Sequence, residues 1–376
     1  MNTLSPNDGG ASGKPAKVAG VVNLSDARRR VRERVEAAHA SLSAEIEATR
    51  ELLDGGQATK AEARLHRIIK DARDDEDLLA QARCMLSISL ETQGHHADSL
   101  AAVQMYEDAQ ARANLNTEIS ILLRVQLGLA YTYTGDHPRA IALLNGTLRE
   151  ASDNDGAQLG AIYIALARVY RHINEYKIAR DNSQLALSHY RKTGDWRGMA
   201  ESYRGLALES VFEGAYEQSL EYYEQALKLV GDHPAPFMLG KIYATMAGAC
   251  WFLKRPQDGI RYLEKAIDYY ERTDQKINAI DGYNNLGINL ILVGDWARAQ
   301  QMLERALELA SEVDEQAVKA KVAMILDSLG ELQMLRGNLL KAQDHLQRAV
   351  RLSHDHGNKW YACQALRTLA RCHLSM

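Results

Sequence analysis

At 376 residues the chain is long enough for two or three globular domains or for one elongated array, and a net charge of −4 excludes a surface built mainly to neutralise nucleic-acid phosphates. Only three Phe and six Pro occur, against an abundance of Ala, Leu, Glu, Arg and Gln, which lose little freedom in a helix; the expected class is all-α. No stretch approaches the roughly 20 apolar residues that cross a bilayer, so no membrane span is expected.

Residues 1–24 hold Gly, Ser, Pro, Ala and Lys, lack the apolar centre of a secretory signal, and read as a disordered tail. The run Gly9-Gly10-Ala11-Ser12-Gly13-Lys14 resembles a phosphate loop. However, Asp8 stands where that motif needs Gly, Pro15 follows the Lys, and no strand precedes it. A helix is expected from about Ser25, as N-cap, to Leu53. Its Arg28, Arg29, Arg30, Arg32 and Arg34 interleave with acids further on and read as a solvated capping face rather than a patch for an anionic partner.

From there the chain is periodic. A small residue early in a second helix recurs at Ala61, Ser99, Ala140, Ala179, Ser219, Gly259, Ala299 and Ala342, in steps of about 40 residues. A second column, at Ser87, Gly128, Ala167, Ala207, Ala247, Gly287 and Gly330, marks the first helices. Two helices approach closely only where side chains are small, so the two columns mark the contact inside each of eight pairs. Tyr163, Tyr203, Tyr243 and Tyr283 lie four residues ahead of the small residue, where a ring fills the wedge between neighbouring helices. Gly94, Gly135, Gly214, Gly294 and Gly337 mark turns at which a positive φ ends the first helix. Residues 360–376 read as the first helix of a ninth repeat, with Leu369-Ala370 in register. Solenoids normally end in a polar cap, so either this helix caps the array alone or the chain is the N-terminal part of a longer protein.

These columns resemble the tetratricopeptide repeat, most closely over residues 283–307 (YNNLGINLILVGDWARAQQMLERAL). The resemblance covers roughly residues 40–376, and the period of 40 looks like the longer-helix branch of kinesin light chains, cell-polarity adaptors and bacterial Rap-type regulators. Departures fall at Glu45 and Thr49 in the first repeat and at Lys254-Arg255-Pro256, which replaces the Gly turn of the sixth. The resemblance implies a right-handed α-solenoid over residues 25–376, with about eight helix-turn-helix repeats, an N-terminal helix and an unpaired C-terminal helix.

Chemistry is not signalled. Cys84, Cys250, Cys363 and Cys372 fall in helical stretches with no disulfide framework, which suits a reducing cytoplasm. Cys363 and Cys372 lie on opposite sides of one helix, and His95-His96 and His354-Asp355-His356 lack the spacing of a zinc site. No nucleophile elbow, zinc-protease pair or dinucleotide turn is present. The chain is therefore not expected to be an enzyme, and neither catalytic residues, a metal nor a cofactor is expected.

Function then rests on surface shape. In the resembled family the first helices line a concave groove, and the positions that match it here are Arg168, Arg171 and His172, then Glu201, Arg204 and Phe212, then Lys241, Trp251 and Phe252, then Asp281 and Asn284, then Asp327 and Glu331. The expected groove is basic and aromatic in the middle and acidic toward the C-terminal end. It suits a protein or peptide partner with acidic and apolar residues. Asn284 and Asn285 resemble the Asn pair that peptide-binding relatives use on ligand backbone, whereas the Lys and Asn set of chaperone-binding relatives is missing. The expected role is a peptide-binding scaffold in bacterial signalling or regulation. The alternative is the sensory arm of a signalling enzyme, a cyclase or kinase, or of a transcription regulator, with its output domain beyond residue 376. Tyr222, Tyr223, Tyr269 and Tyr270 read as core, with a homo-dimer face as the alternative.

Overall fold

The computed structural model describes residues 24–72, 75–152, 156–231, 233, 235–273, 275–313, 315–355 and 359–375. The expected tail and its Gly9–Lys14 run lie outside them, apart from Leu24, which opens the first helix, and so does His356. The chain divides into two units, one ending at Ala44 and one running from Glu45 onward. In the first unit, the described part of α1 (Leu24–Asp54) is a solvated helix. It carries Arg29–Glu33 and Arg32–Glu36 pairs one turn apart, as its charge pattern predicts.

The second unit is the array. The end of α1 leads to α2 (Ala58–Asp71), and the following pairs are α3 (Glu76–Thr92) with α4 (His96–Val103), α5 (Thr117–Tyr133) with α6 (His137–Glu150), and α7 (Gly156–His172) with α8 (Tyr176–Thr193). Then come α9 (Trp196–Phe212) with α10 (Tyr216–Val230), α11 (Pro236–Phe252) with α12 (Pro256–Arg272), α13 (Lys276–Leu292) with α14 (Trp296–Ala310), and α15 (Glu315–Leu335) with α16 (Leu339–Asp355). Finally, α17 (Lys359–Ser375) packs on α15 and α16 through buried Ala365 and Cys372. The N-terminal helix is thus the first member of the first pair. Neighbouring first helices touch one another, as α3 and α5, α5 and α7, and α13 and α15 do, whereas among the described residues neighbouring second helices make no comparable contact. Such one-sided contact curves the array with its first helices on the inside.

Both small-residue columns sit at helix crossings. Ala61, Ala140, Ala179, Ser219, Ala299 and Ala342 have no accessible surface, and Ser87 and Ser99 share a hydrogen bond of 2.8 Å between their hydroxyls. A Cβ on Gly287 would stand 2.6 Å from Leu303, and one on Gly330 2.5 Å from Leu346, so hydrogen there is what allows the contact. Tyr223 and Tyr270 are core, and Tyr222 and Tyr269 are half-buried beside them. The Tyr column behaves less uniformly: Tyr283 is buried and donates to Glu271 at 2.6 Å, while Tyr163, Tyr203 and Tyr243 are half-buried against rings of the second helix of the same pair.

The second pair departs from the pattern, because α4 stops at Val103 and continues as two 3-10 turns, Gln104–Glu107 and Gln110–Arg112. The repeats give the reason. Seven residues after the small residue of the second helix stand Ala186, Ala226, Ala266, Ala306 and Ala349, all without accessible surface; in the second pair the same register holds Tyr106. A ring cannot enter a space the size of a methyl group from a regular helix, so the backbone unwinds to bury it.

Each intra-pair turn contains one residue in the left-handed region: Gly56, Gly94, Gly135, Asn174, Gly214, Lys254, Gly294 and Gly337. In every case the next residue returns its N–H to a carbonyl five residues back, as His95 does to Leu90 at 2.9 Å and Arg255 to Cys250 at 2.9 Å. This is the Schellman closure, and it needs positive φ whatever residue is present. Lys254 meets the need at φ 58, with a Cβ that Gly lacks. Lys254→Gly is therefore expected to stabilise the fold by about 0.5–1 kcal/mol, after the flexibility of Gly in the unfolded chain is subtracted. Asn174→Gly should gain less, since Asn tolerates this region, and chemical denaturation of the two variants measures the difference.

Candidate ligand groove

The expected groove residues fall into three separate places on the second unit. Arg168, Arg171 and Arg204 lie on adjacent first helices, but they are not free donors. Glu201 accepts from Arg204 at 2.7 Å and from Arg168 at 3.3 Å, and its other oxygen faces Lys241 Nζ at 3.5 Å. Arg171 donates to Glu209 at 2.7 Å, and Ser183 donates to the same carboxylate oxygen at 3.2 Å. These expected groove cations lie in a belt of ion pairs largely shielded from solvent, in which Glu201 and Glu209 offset part of the charge of Arg168, Arg171, Arg204 and Lys241. Burial alone would raise the Glu201 carboxyl, but Arg204, Lys241 and Arg168 hold it well below the usual carboxylate range. Burial does raise Glu209, against the pull of Arg171.

His172, Phe212 and Phe252 form a ladder along the edge at the intra-pair turns rather than the groove floor. Phe212 stacks on Tyr176 at 4.4 Å and Phe252 on Tyr216 at 4.8 Å, so each ring at the end of one first helix rests on the ring that opens the preceding second helix. His172 meets Tyr133 edge-on at 5.4 Å and His137 at 6.0 Å. Burial, then His137 and the nearby Arg171 and Arg168, push its pKa below the ordinary value.

The third place is a cleft of about 470 Å³ between the first helices α11, α13, α15 and α17. It opens because α11 and α13 do not make the first-helix contact seen elsewhere, and because α11 turns Ala244, Ala247 and Gly248 toward the space. A Cβ on Gly248 would meet nothing within 4 Å. Trp251 and Phe252 form one wall, Asn285, Ile288 and Asn289 the floor, and Met324, Asp327 and Glu331 the far side. Asn284, expected to face a ligand, is buried instead: its carbonyl oxygen accepts from Ser328 at 3.0 Å and ties α13 to α15. Its neighbour Asn285 is the exposed one. Among the described residues Asn289 Oδ1, which lies against Gly259 of α12, and Asp327 Oδ1 are buried without a hydrogen bond, and burial pushes the Asp327 carboxyl up against the pull of Thr368.

Glu209 and Asn289 went unremarked in the sequence although a signal marks them. Two residues after the small residue of each first helix stand Ser89, Ala130, Val169, Glu209, Ala249, Asn289 and Leu332, all buried. A carboxylate and an amide in a register that is otherwise small or apolar must be partnered or functional. Glycine makes room for both: Gly259 admits Asn289, and Gly205 admits Ser183 and Arg171 beside Glu209.

Two predictions follow the charges. Glu201→Ala leaves Arg168, Arg204 and Lys241 facing one another with little water, and is expected to cost about 3–5 kcal/mol in urea unfolding. Because the folded pKa of His172 lies below its unfolded value, protonation favours the unfolded chain, so stability falls as pH drops below about 6.5. His172→Gln should flatten that fall in melting temperatures measured between pH 8 and pH 5.

Comparison with known proteins agrees with the repeat geometry. Residues 158–231 and 239–312 match the tetratricopeptide repeat family. Protein KINESIN LIGHT CHAIN-RELATED 3 of Arabidopsis thaliana is 22% identical over 236 residues, which are 60% of this chain; the chain spans 36% of the length of that relative. A solved Rap protein complexed with Competence and Sporulation Factor aligns with a TM-score of 0.56 at 17% identity, over 89% of this chain and 98% of that one. The apo form of the quorum sensor NprR from B. thuringiensis aligns at 0.52 and 12% identity, over 89% and 99%. At such identities the structural likeness is one of fold. Residues 158–231 and 239–312 are thus tetratricopeptide repeats, and the other helix pairs of the array share their period and turn closure.

Proposed function

We propose that the chain is a non-catalytic receptor that takes a protein or peptide segment into the cleft between α11 and α17, in a signalling or regulatory role in a bacterium. Tetratricopeptide arrays are protein-interaction scaffolds, and the observation that carries the finer reading is the cleft itself. It combines an exposed ring in Trp251 with the exposed amide of Asn285 and the Asp327 carboxylate, one oxygen of which has no hydrogen bond among the described residues. A volume of about 470 Å³ falls in the range of sites that hold a side chain or a short segment. An apolar side chain of the partner lies on Trp251, and its backbone or side-chain N–H groups reach the Asn285 amide oxygen and the Asp327 carboxylate.

The belt changes the partner chemistry expected from sequence. Arg168 and Arg204 already share Glu201, so an acidic partner residue gains little there, and apolar anchoring at Trp251 carries more of the selection. The solved Rap protein is complexed with Competence and Sporulation Factor and NprR is a quorum sensor, and both support a signal-receiving role for this fold.

Gly248→Leu tests the cleft, because a Cβ there meets nothing within 4 Å, the longer side chain takes up cleft space, and Gly in a helix interior is replaced by a better helix former. Peptide-display selection on the native array is expected to enrich sequences with a common apolar anchor, and Gly248→Leu is expected to lose them by about tenfold or more in affinity, the equivalent of one good buried contact. If Gly248→Leu retains the enriched peptides with unchanged affinity, the cleft is not the site.

A further inference from the structure

The first intra-pair turn of the array is buried by a segment more than two hundred residues away. Gln275 donates its side-chain amide to the Gly56 carbonyl across 219 residues of chain. A Cβ on Gly56 would stand 2.8 Å from Thr273 Cβ and 3.1 Å from Phe237 Cβ, and Thr273 and Gln275 are buried. Beside this contact, Arg197 Nη2 reaches Asp54 at 2.6 Å across 143 residues, while its guanidinium lies over the Trp196 ring at 4.8 Å. Repeats contact their neighbours by construction, but this contact is not a neighbour contact. It joins the first pair to the opening turns of α9 and α11 and to the inter-pair segment before α13, and turns the intervening pairs into a closed ring with their first helices inside.

The seam is unlike the rest of the array. Helix pairs meet through apolar cores, whereas the seam is a hydrogen bond, an ion pair and a close approach of Gly56 to Thr273. Next to it a cleft of about 390 Å³ separates Lys60, Gln93 and His95 from Lys276 and Glu312. Among the described residues, the hydrophobic clusters around α5, around α10 and around α13 do not cross the seam. A joint with few polar contacts in a ring otherwise held by hydrophobic packing is where that ring separates first.

We propose that Asp54, Gly56, Arg197, Thr273 and Gln275 form a latch that switches the array between a closed ring and an opened spiral. The closed form admits only a chain end to the inner face of the second to sixth pairs, including the Glu201 belt, and the opened form admits a segment within a longer or folded partner. This device stands on the ring contact alone and does not depend on which ligand the α11–α17 cleft holds.

The test is small-angle X-ray scattering of the full chain, with circular dichroism to follow helix content. Asp54→Arg combined with Gln275→Ala is expected to raise the radius of gyration at unchanged helicity. Arg197→Asp added to Asp54→Arg, which reverses the ion pair, is expected to restore the native value. Should the double variant lose helicity, Gln275→Ala alone gives the reading by hydrogen exchange, with exchange at residues 54–57 expected to rise about tenfold for the loss of one buried hydrogen bond. Native scattering from a folded double variant, no recovery with the reversed pair, or unchanged exchange in Gln275→Ala would each overturn the latch.

Discussion

Everything in the array depends on how closely the two helices of a pair approach, and that distance is set where a side chain is smallest. At Gly287 and Gly330 the leucine of the facing helix occupies the space a Cβ would need, and at Ser87 and Ser99 two hydroxyls meet directly. A closed helix pair with a fixed turn is a rigid unit, because the turn consumes its own carbonyls through the same left-handed closure each time. Curvature then follows from repetition: once first helices touch and second helices do not, every added pair turns the chain the same way.

Function enters where the period is broken. Tyr106 breaks it by bulk, and the backbone unwinds to bury the ring. Glu209 breaks it by charge, and the fold answers with Arg171, Ser183 and the room left by Gly205. Asn289 breaks it by polarity, and its carbonyl oxygen, seated against Gly259 of α12, has no hydrogen bond among the described residues. Glu209 Oε2 and Asn289 Oδ1 both lack a hydrogen bond among the described residues, but only Asn289 stands beside open space, and that is why the cleft and not the belt is the better candidate for a ligand. A buried acceptor without a partner costs more than an average hydrogen bond returns, so a fold that keeps one at the wall of a cleft is poised to recover the loss on binding.

Much of this was legible in the sequence. Helix class, period, both small columns and the turns are local properties, and a residue such as Gly294 shows its role without any knowledge of what lies across from it. The Lys254 turn was visible as an exception, and its left-handed backbone follows from the register it occupies. The groove residues were legible as positions but not as states. Arg168, Arg204 and Glu201 were all identified on the inner face, but not the fact that this carboxylate takes both guanidinium groups and offsets part of their charge. Reading signs residue by residue missed the pairing, because pairing depends on the rotation between adjacent first helices. Asn284 and Asn285 show the same limit, since one step along a helix separates a buried tie to Ser328 from an exposed amide.

The contact least accessible to sequence reasoning is the one between Gly56 and Gln275. A solenoid's stability is nearly a sum over neighbours, so its sequence carries strong signals for neighbour contacts and weak ones for anything further away. Closing a loop of that length costs only modestly more entropy than closing a short one, because the cost grows with the logarithm of length. A few polar contacts therefore suffice to hold the ring once the helix pairs have fixed its curvature. Curvature is set by many small residues acting together, while closure is set by a handful at one seam, and the two can change independently: substitutions at the seam alter access to the inner face without disturbing any helix pair.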